Sequence, residues 1–246
     1  MKILYEDEDV LAVEKPSGLM VHPDGRSSEP AVTDWVLKHY PELKGVGEPV
    51  TFGEEEIDRP GIVHRLDRET SGVLLIMKNP KAFAYFKKQF MERKIKKRYA
   101  AIVYGHVKSD RGKVDKPIGR SPSDFRRKLA GRGAKGELRE AVTEYSVLKR
   151  FEDKAGGKYS FLEVRPRTGR THQIRVHMKF LNHPVVCDSL YASKNACPSE
   201  LGRLALHAES IEFKTPHGKT VKVESPLPAE FKKYVGAVFG IKNHVA

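Results

Sequence analysis

Cysteine is almost missing from this chain: Cys187 and Cys197 stand alone among 246 residues. Two thiols cannot build a disulfide framework, so the sequence points to a reducing cytoplasm, with both as small buried or surface residues. Their spacing, with His183 and His207 as candidate co-ligands, matches no zinc pattern, and no metal is expected. Long apolar runs are missing too. Nothing approaches the roughly 18 consecutive apolar residues that suggest a membrane span. The opening MKILYEDEDVLAVEKP carries early acids and no long apolar stretch, unlike a signal peptide. No internal repeat and no long low-complexity linker is visible, so one domain over residues 1–246 is expected.

Negative charge is in short supply. Lys and Arg number 45 against 32 Asp and Glu, a net charge of +13, and the isoelectric point is about 9.6. A polyanionic partner follows: RNA, DNA or an anionic membrane would each fit. The bland alternative is a basic but inert surface. Apolar residues at 39% are enough for a sizeable core and do not suit disorder.

Along the chain, Ile3 to Val13 reads as two short strands around Glu6-Asp7-Glu8-Asp9, and Lys15-Pro16-Ser17-Gly18 breaks regular structure. Residues 42–60 read as a surface loop. Gly61 to Leu66 reads as a strand entering a turn, and Val73 to Met77 as a strand buried on both faces. Asn79-Pro80 caps and opens a helix with Phe83, Phe86 and Phe90 on one face. A strand from Tyr99 stops at Gly105. Residues 110–140 form a basic, irregular insertion. Strands follow near 141–149 and 159–165. Thr171 is expected to cap a helix with Ile174, Met178 and Leu181 on one face. A hairpin around His217-Gly218 and a helix over 228–239 close the chain.

Three segments carry chemistry. His64-Arg65-Leu66-Asp67-Arg68 sets one carboxylate between two guanidiniums in a polar turn between buried strands. Nearby positive charge favours the ionised acid, which suits a nucleophile or base. A surface ion-pair cluster explains the same pentapeptide. In Thr171-His172-Gln173-Ile174-Arg175-Val176-His177, helical spacing brings Arg175 near the face of Thr171. The histidines are five apart with no Glu between them, which excludes a zinc helix of the usual spacing. Arg175 instead suits a carboxylate or phosphate, against the alternative of an exposed polar face. Tyr99 follows a run of cations, an arrangement that stacks a base while cations hold phosphates; a half-buried strand aromatic is the ordinary alternative.

Taken in order, these segments resemble the RluA-type family of pseudouridine synthases. Leu11-Ala12-Val13-Glu14-Lys15-Pro16-Ser17-Gly18-Leu19 with His22-Pro23 resembles its opening motif, and His64-Arg65-Leu66-Asp67 with Thr70-Ser71-Gly72-Val73-Leu74-Leu75 its catalytic motif. Lys97-Arg98-Tyr99-Ala100-Ala101-Ile102-Val103 resembles the tyrosine motif. Gly169-Arg170-Thr171-His172-Gln173-Ile174-Arg175-Val176-His177, continued by Asp188 and Tyr191, resembles the arginine motif, and Arg203-Leu204-Ala205-Leu206-His207-Ala208 the late strand. The resemblance spans about residues 3–228.

It implies an α+β fold: a single catalytic domain with a long, mostly antiparallel mixed sheet, flanking helices and a central RNA-binding cleft. It implies an isomerase that converts uridines of structured RNA, ribosomal or transfer, to pseudouridine, with no cofactor. Asp67 matches the catalytic aspartate. Tyr99 matches the tyrosine that stacks on the target base, Arg175 the arginine that pairs with the catalytic carboxylate, and Arg65 an arginine that enters the RNA when the uridine flips out. Arg170 and His64 are placed at the same RNA cleft. Cys187 stands where members usually carry Gly before Asp188. The resemblance covers the catalytic domain and not the small N-terminal RNA-binding domain that members often have. A monomer is expected. Two competing functions remain open on sequence: a non-catalytic RNA-binding or ribosome-assembly protein of the same fold, and a nucleoside hydrolase or DNA glycosylase. The single acid argues against the latter, since hydrolysis usually needs a carboxylate pair.

Overall fold

The computed structural model describes residues 1–23, 29–52 and 55–236. The chain folds as two compact units, one of Met1–Lys97 with Ala208–Pro226, the other of Arg98–His207 with the chain from Leu227 onward.

The first unit opens with β1 (Lys2–Glu6) and β2 (Val10–Lys15), paired antiparallel. The expected turn between them forms because Asp7 accepts hydrogen bonds from the backbone N–H groups of Asp9 (2.9 Å) and Val10 (2.7 Å). Helix α1 (Val32–His39) follows, with the Asp34 carboxylate accepting the Ala31 N–H at 2.7 Å. The segment expected to be a plain loop holds a 3-10 turn at Pro41–Leu43 and a small hairpin of β3 (Val50–Phe52) and β4 (Glu55–Ile57). Strand β5 (Ser71–Met77) is buried throughout and pairs antiparallel with β2. Its uninterrupted apolar side chains leave it no solvent face. Helix α2 (Pro80–Met91) starts where Asn79 accepts the Ala82 N–H at 2.8 Å, and it buries Phe83 and Phe86. Gln89 and Tyr85 tie it to the carbonyls of Lys214 (2.8 Å) and Thr215 (3.0 Å).

The second unit is built on β6 (Lys96–Tyr104, from Arg98 onward), β7 (Arg111–Asp115), β11 (Val142–Glu152) and β12 (Lys158–Pro166), in the order β6-β12-β11-β7 with antiparallel neighbours. The insertion is not irregular. It forms a separate antiparallel sheet of β8 (Ile118–Arg120), β9 (Lys128–Ala130) and β10 (Lys135–Arg139). Its polar, Gly-rich strands show no apolar alternation because β10 is exposed along its whole length.

Helix α3 (Gln173–Phe180) buries Ile174 and Met178. Thr171 does not cap it. The cap position belongs to His172, in the left-handed region at φ 57°, so Thr171 lies outside the helix and shares no helical face with Arg175. Strand β13 (Leu206–Lys214) and β14 (Thr220–Glu224) make the expected hairpin, turning at Gly218 with φ 80°. Helix α4 (Ala229–Gly236) lays Phe231, Tyr234 and Val235 into the second unit's core with Ile102, Leu162 and Val185. Residues 237–239 of the expected helix lie outside the described residues. The fold class is α+β.

One further expectation is corrected. Cys187 and Cys197 are joined in a disulfide rather than standing as isolated thiols. Proximity of their backbones, with Cα atoms 4.7 Å apart, decides this. A spacing of ten residues does not reveal it.

Candidate active site

Asp67 sits just beyond Leu66, which is buried, in a turn closed by the Thr70 N–H to its own carbonyl at 3.1 Å. Asp67 itself is half-buried. The turn rests on the loop after β2. The Lys15 ammonium, fully buried, donates to the carbonyls of Pro16 (2.9 Å), Leu19 (2.7 Å) and Arg68 (2.9 Å). The Gly18 N–H reaches the same Arg68 carbonyl at 2.9 Å, and the Ser17 hydroxyl donates to the Glu69 carbonyl at 2.6 Å. A charged donor spread over several carbonyls replaces the water those groups would otherwise need. The turn is therefore held by backbone contacts and does not depend on the identity of its outward side chains.

The guanidiniums on either side of Asp67 are otherwise engaged. Arg68 donates to the Gly18 carbonyl (Nε, 3.0 Å) and pairs with Glu29. Arg65 is exposed and approaches the His22 imidazole at 3.4 Å. Among the described residues neither forms an ion pair with Asp67, so the pairing suggested by the pentapeptide does not occur. Arg65 is left facing solvent, where a polyanion can meet it.

His64 has a supporting place. Its Nε2 accepts the Leu75 N–H at 3.0 Å, and its ring stacks on Phe90 with centroids 4.8 Å apart. This explains why Gly61 to Leu66 is not a strand: an imidazole takes the position of a ladder carbonyl beside β5. Burial, aided by the Lys97 ammonium, pushes its pKa down to about 3. Lys97 itself is pushed down to about 8 by burial.

In the second unit Tyr99 lies on β6 opposite Val164 and packs its ring partly against the core. Arg175 is buried, and its guanidinium forks onto Asp188 with Nε–Oδ2 at 2.7 Å and Nη2–Oδ1 at 2.8 Å. Asp188 Oδ1 also accepts the N–H groups of Leu190 and Tyr191, both at 3.0 Å. The Tyr191 ring lies 5.3 Å from the Arg175 guanidinium carbon. The turn before α3 is locked by Gln173, whose Oε1 accepts from Thr168 (2.7 Å) and the Arg170 N–H (3.0 Å). The Gln173 amide in turn donates to the Val142 carbonyl at 3.0 Å. Arg170 directs Nε to the Glu140 carbonyl at 2.9 Å. Sequence reasoning gave Lys15, Asp188 and Gln173 no role. Each lies inside a quoted motif, and each is a buried polar residue needing a partner, a property no spacing rule exposes.

A family model described as RNA pseudouridylate synthase matches residues 9–180. The chain belongs to that family. An RNA pseudouridine synthase of Aquifex aeolicus is 44% identical over 82% of this chain and 59% of its own length. One from Synechocystis is 39% identical over 95% of this chain and 67% of its own. The ribosomal large subunit pseudouridine synthase D of Borreliella burgdorferi is 37% identical over 93% of this chain and 66% of its own. This pseudouridine synthase chain thus spans about two-thirds of the length of the curated relatives it matches. Human RNA pseudouridylate synthase domain containing 1 superposes with a TM-score of 0.72 at 27% identity, over 92% of this chain and 83% of that one. The reaction class of the family is isomerisation. Among the described residues, no helix of this pseudouridine synthase is long and apolar enough to cross a membrane.

Proposed function

We propose that this chain isomerises specific uridines of structured RNA to pseudouridine, with Asp67 as the reacting carboxylate. The observation that carries the reading is the turn at Asp67: half-buried at its tip and pinned from below by Lys15, Gly18 and Ser17. Rigid support with an accessible acid is what a positioned catalytic group requires. By the family resemblance Tyr99 is the tyrosine that stacks on the target base, Arg175 the arginine that serves the catalytic carboxylate, and Arg65 the arginine that enters the RNA in place of the flipped uridine. Arg170 contacts the RNA from the second unit, and His64 supports the segment leading to Asp67 by accepting the Leu75 N–H. The two units work as one catalytic domain, supported by a family match that runs through residues of both.

The chemistry suits a lone carboxylate. The N1–C1′ bond breaks, the base turns, a C5–C1′ bond forms, the proton at C5 leaves to solvent and N1 takes one up. No water is consumed, so the second carboxylate of a hydrolase has no task. The uridine must leave its stack, which costs a few kcal/mol and least in a loop. Large-subunit ribosomal RNA is the proposed substrate, supported by the name of the Borreliella relative. A cytoplasmic setting follows from that substrate and no longer from the cysteines. The protein acts as a monomer.

Tritium release from 5-tritiated uridine RNA is the direct test. Wild-type protein frees the label, and Asp67→Asn frees none while keeping its RNA affinity. Continued release by Asp67→Asn would remove the carboxylate from the mechanism. Binding without release by the wild type would leave an RNA-binding protein in place of an enzyme.

A further inference from the structure

We infer that the sheet β8-β9-β10, with the Gly169–Thr171 turn, is a docking site for a flanking, unpaired stretch of the substrate RNA: a groove for phosphodiesters and, at the β8–β9 tip, Phe125 as a stacking platform for a base. The inference rests on the reading of the substrate as RNA and adds a site to it.

The groove encloses about 380 Å³ and is lined by Arg120, Lys128, Arg139 and Arg170, with Glu137 as the carboxylate on its wall. Glu137 is taken by Arg139, whose Nε and Nη2 reach it at 3.0 and 2.8 Å. Arg120 has no ion pair among the described residues. Positive charge is therefore concentrated beyond what the local acid neutralises. The Lys128 ammonium registers this: burial lowers its pKa first, then repulsion from Arg120 and Arg139. An ordinary solvated basic face would spread such charges apart. Here strand pairing sets Lys128 opposite Arg120 on one side and Lys135 opposite it on the other, and Arg139, opposite Ile118, lines the same groove. An anion threaded along the groove relieves that repulsion. Gly136 contributes backbone to the lining with open space where a Cβ would stand, which lets a phosphate approach closely, whereas Gly119 is packed against Leu138 and the Lys135 carbonyl.

Phe125 is 74% exposed on a turn that is itself rigid. The Ser121 and Arg127 N–H groups close it onto the carbonyls of Arg127 (3.1 Å) and Asp124 (3.0 Å). Asp124 chelates the Arg126 guanidinium at 3.1 and 2.9 Å. An exposed ring on the turn that joins β8 and β9, whose Arg120 and Lys128 line a cationic groove, offers what holds single-stranded RNA: cations for phosphates and an aromatic for a base. A ring held on a fixed turn gives up little entropy on stacking.

The test is fluorescence anisotropy of a labelled stem-loop RNA with a single-stranded flank, titrated at several salt concentrations, on the full chain. For Arg120→Ala/Lys128→Ala the slope of log K against log salt becomes shallower by about one to two, from lost counterion release. Phe125→Ala weakens binding about fivefold or more with the slope unchanged, because stacking releases no ions. Phe125→Tyr restores affinity and Phe125→Leu does not. Removing the flank from the RNA abolishes the Phe125 effect. Tritium release at saturating RNA stays at the wild-type rate in all of them. Wild-type affinity and slope in both variants overturn the site, as does full rescue by Phe125→Leu, which would mark an apolar protein contact. If the wild type released no tritium while the variants changed the slope as stated, the docking site would stand and the isomerase reading alone would fall.

Discussion

Lys15 Nζ lies 2.9 Å from the carbonyl oxygen of Arg68, 53 residues further along the chain and next to Asp67. A buried ammonium thus holds the backbone of the candidate catalytic turn. Lys15→Met removes a charged donor from the carbonyls of Pro16, Leu19 and Arg68 and leaves them short of partners. The expected cost is about 3 kcal/mol in chemical denaturation, with turnover reduced more than RNA affinity. A loss below about 1 kcal/mol would show that water replaces the ammonium freely.

Arg175 and Asp188 form a buried fork whose partners cannot be removed singly without leaving a charge stranded. Arg175→Met and Asp188→Leu should each cost about 3–5 kcal/mol, and the double variant clearly less than their sum. Equilibrium unfolding of the cycle measures the coupling. Because Arg175 is only 1% exposed, it is not available to a phosphate, so Arg175→Met should lower turnover more than RNA binding. Additive costs, or an equal loss of binding, would contradict this placement.

His64 makes the fold sensitive to acid. Its folded pKa of about 3 lies below the 6.5 of an unperturbed imidazole. Below pH 6.5 the unfolded chain takes up a proton that native His64 refuses, so stability falls as pH drops through 6.5 towards 3 and is fully present above that window. Between pH 7 and pH 5 the loss is about 2 kcal/mol. His177, also lowered by burial, acts in the same direction. His64→Gln keeps an acceptor for the Leu75 N–H without titrating there, and should flatten the profile between pH 7 and 5. An unchanged profile in His64→Gln would assign the acid sensitivity elsewhere.

The Cys187–Cys197 bridge closes a short loop that carries Asp188 and Tyr191. Loop closure of this length is worth about 2–3 kcal/mol. Thermal unfolding with and without a phosphine reductant should show a lower Tm in reductant for the wild type and no response in Cys197→Ser. Cys187→Gly should cost less than Cys197→Ser, since Cys187 holds φ 57°, which glycine adopts freely. Identical wild-type Tm values in both buffers would argue that the bridge contributes nothing.

What the sequence by itself determined is local. The apolar run of β5, the Asn79-Pro80 helix start, the hairpin at Gly218 and the family motifs in their order are each legible within a few residues. Turn chemistry, capping and periodicity act over that range. What the tertiary structure decided depends on partners far apart in sequence. His64 replaces a ladder carbonyl beside β5, Arg175 finds Asp188, Lys15 reaches Arg68 and two cysteines meet. The insertion shows the same limit: its polar strands carry no alternation, so only their pairing turns scattered arginines into a groove. Burial makes each such polar contact strong and obligatory, and a sequence does not announce which polar residues will be taken out of water.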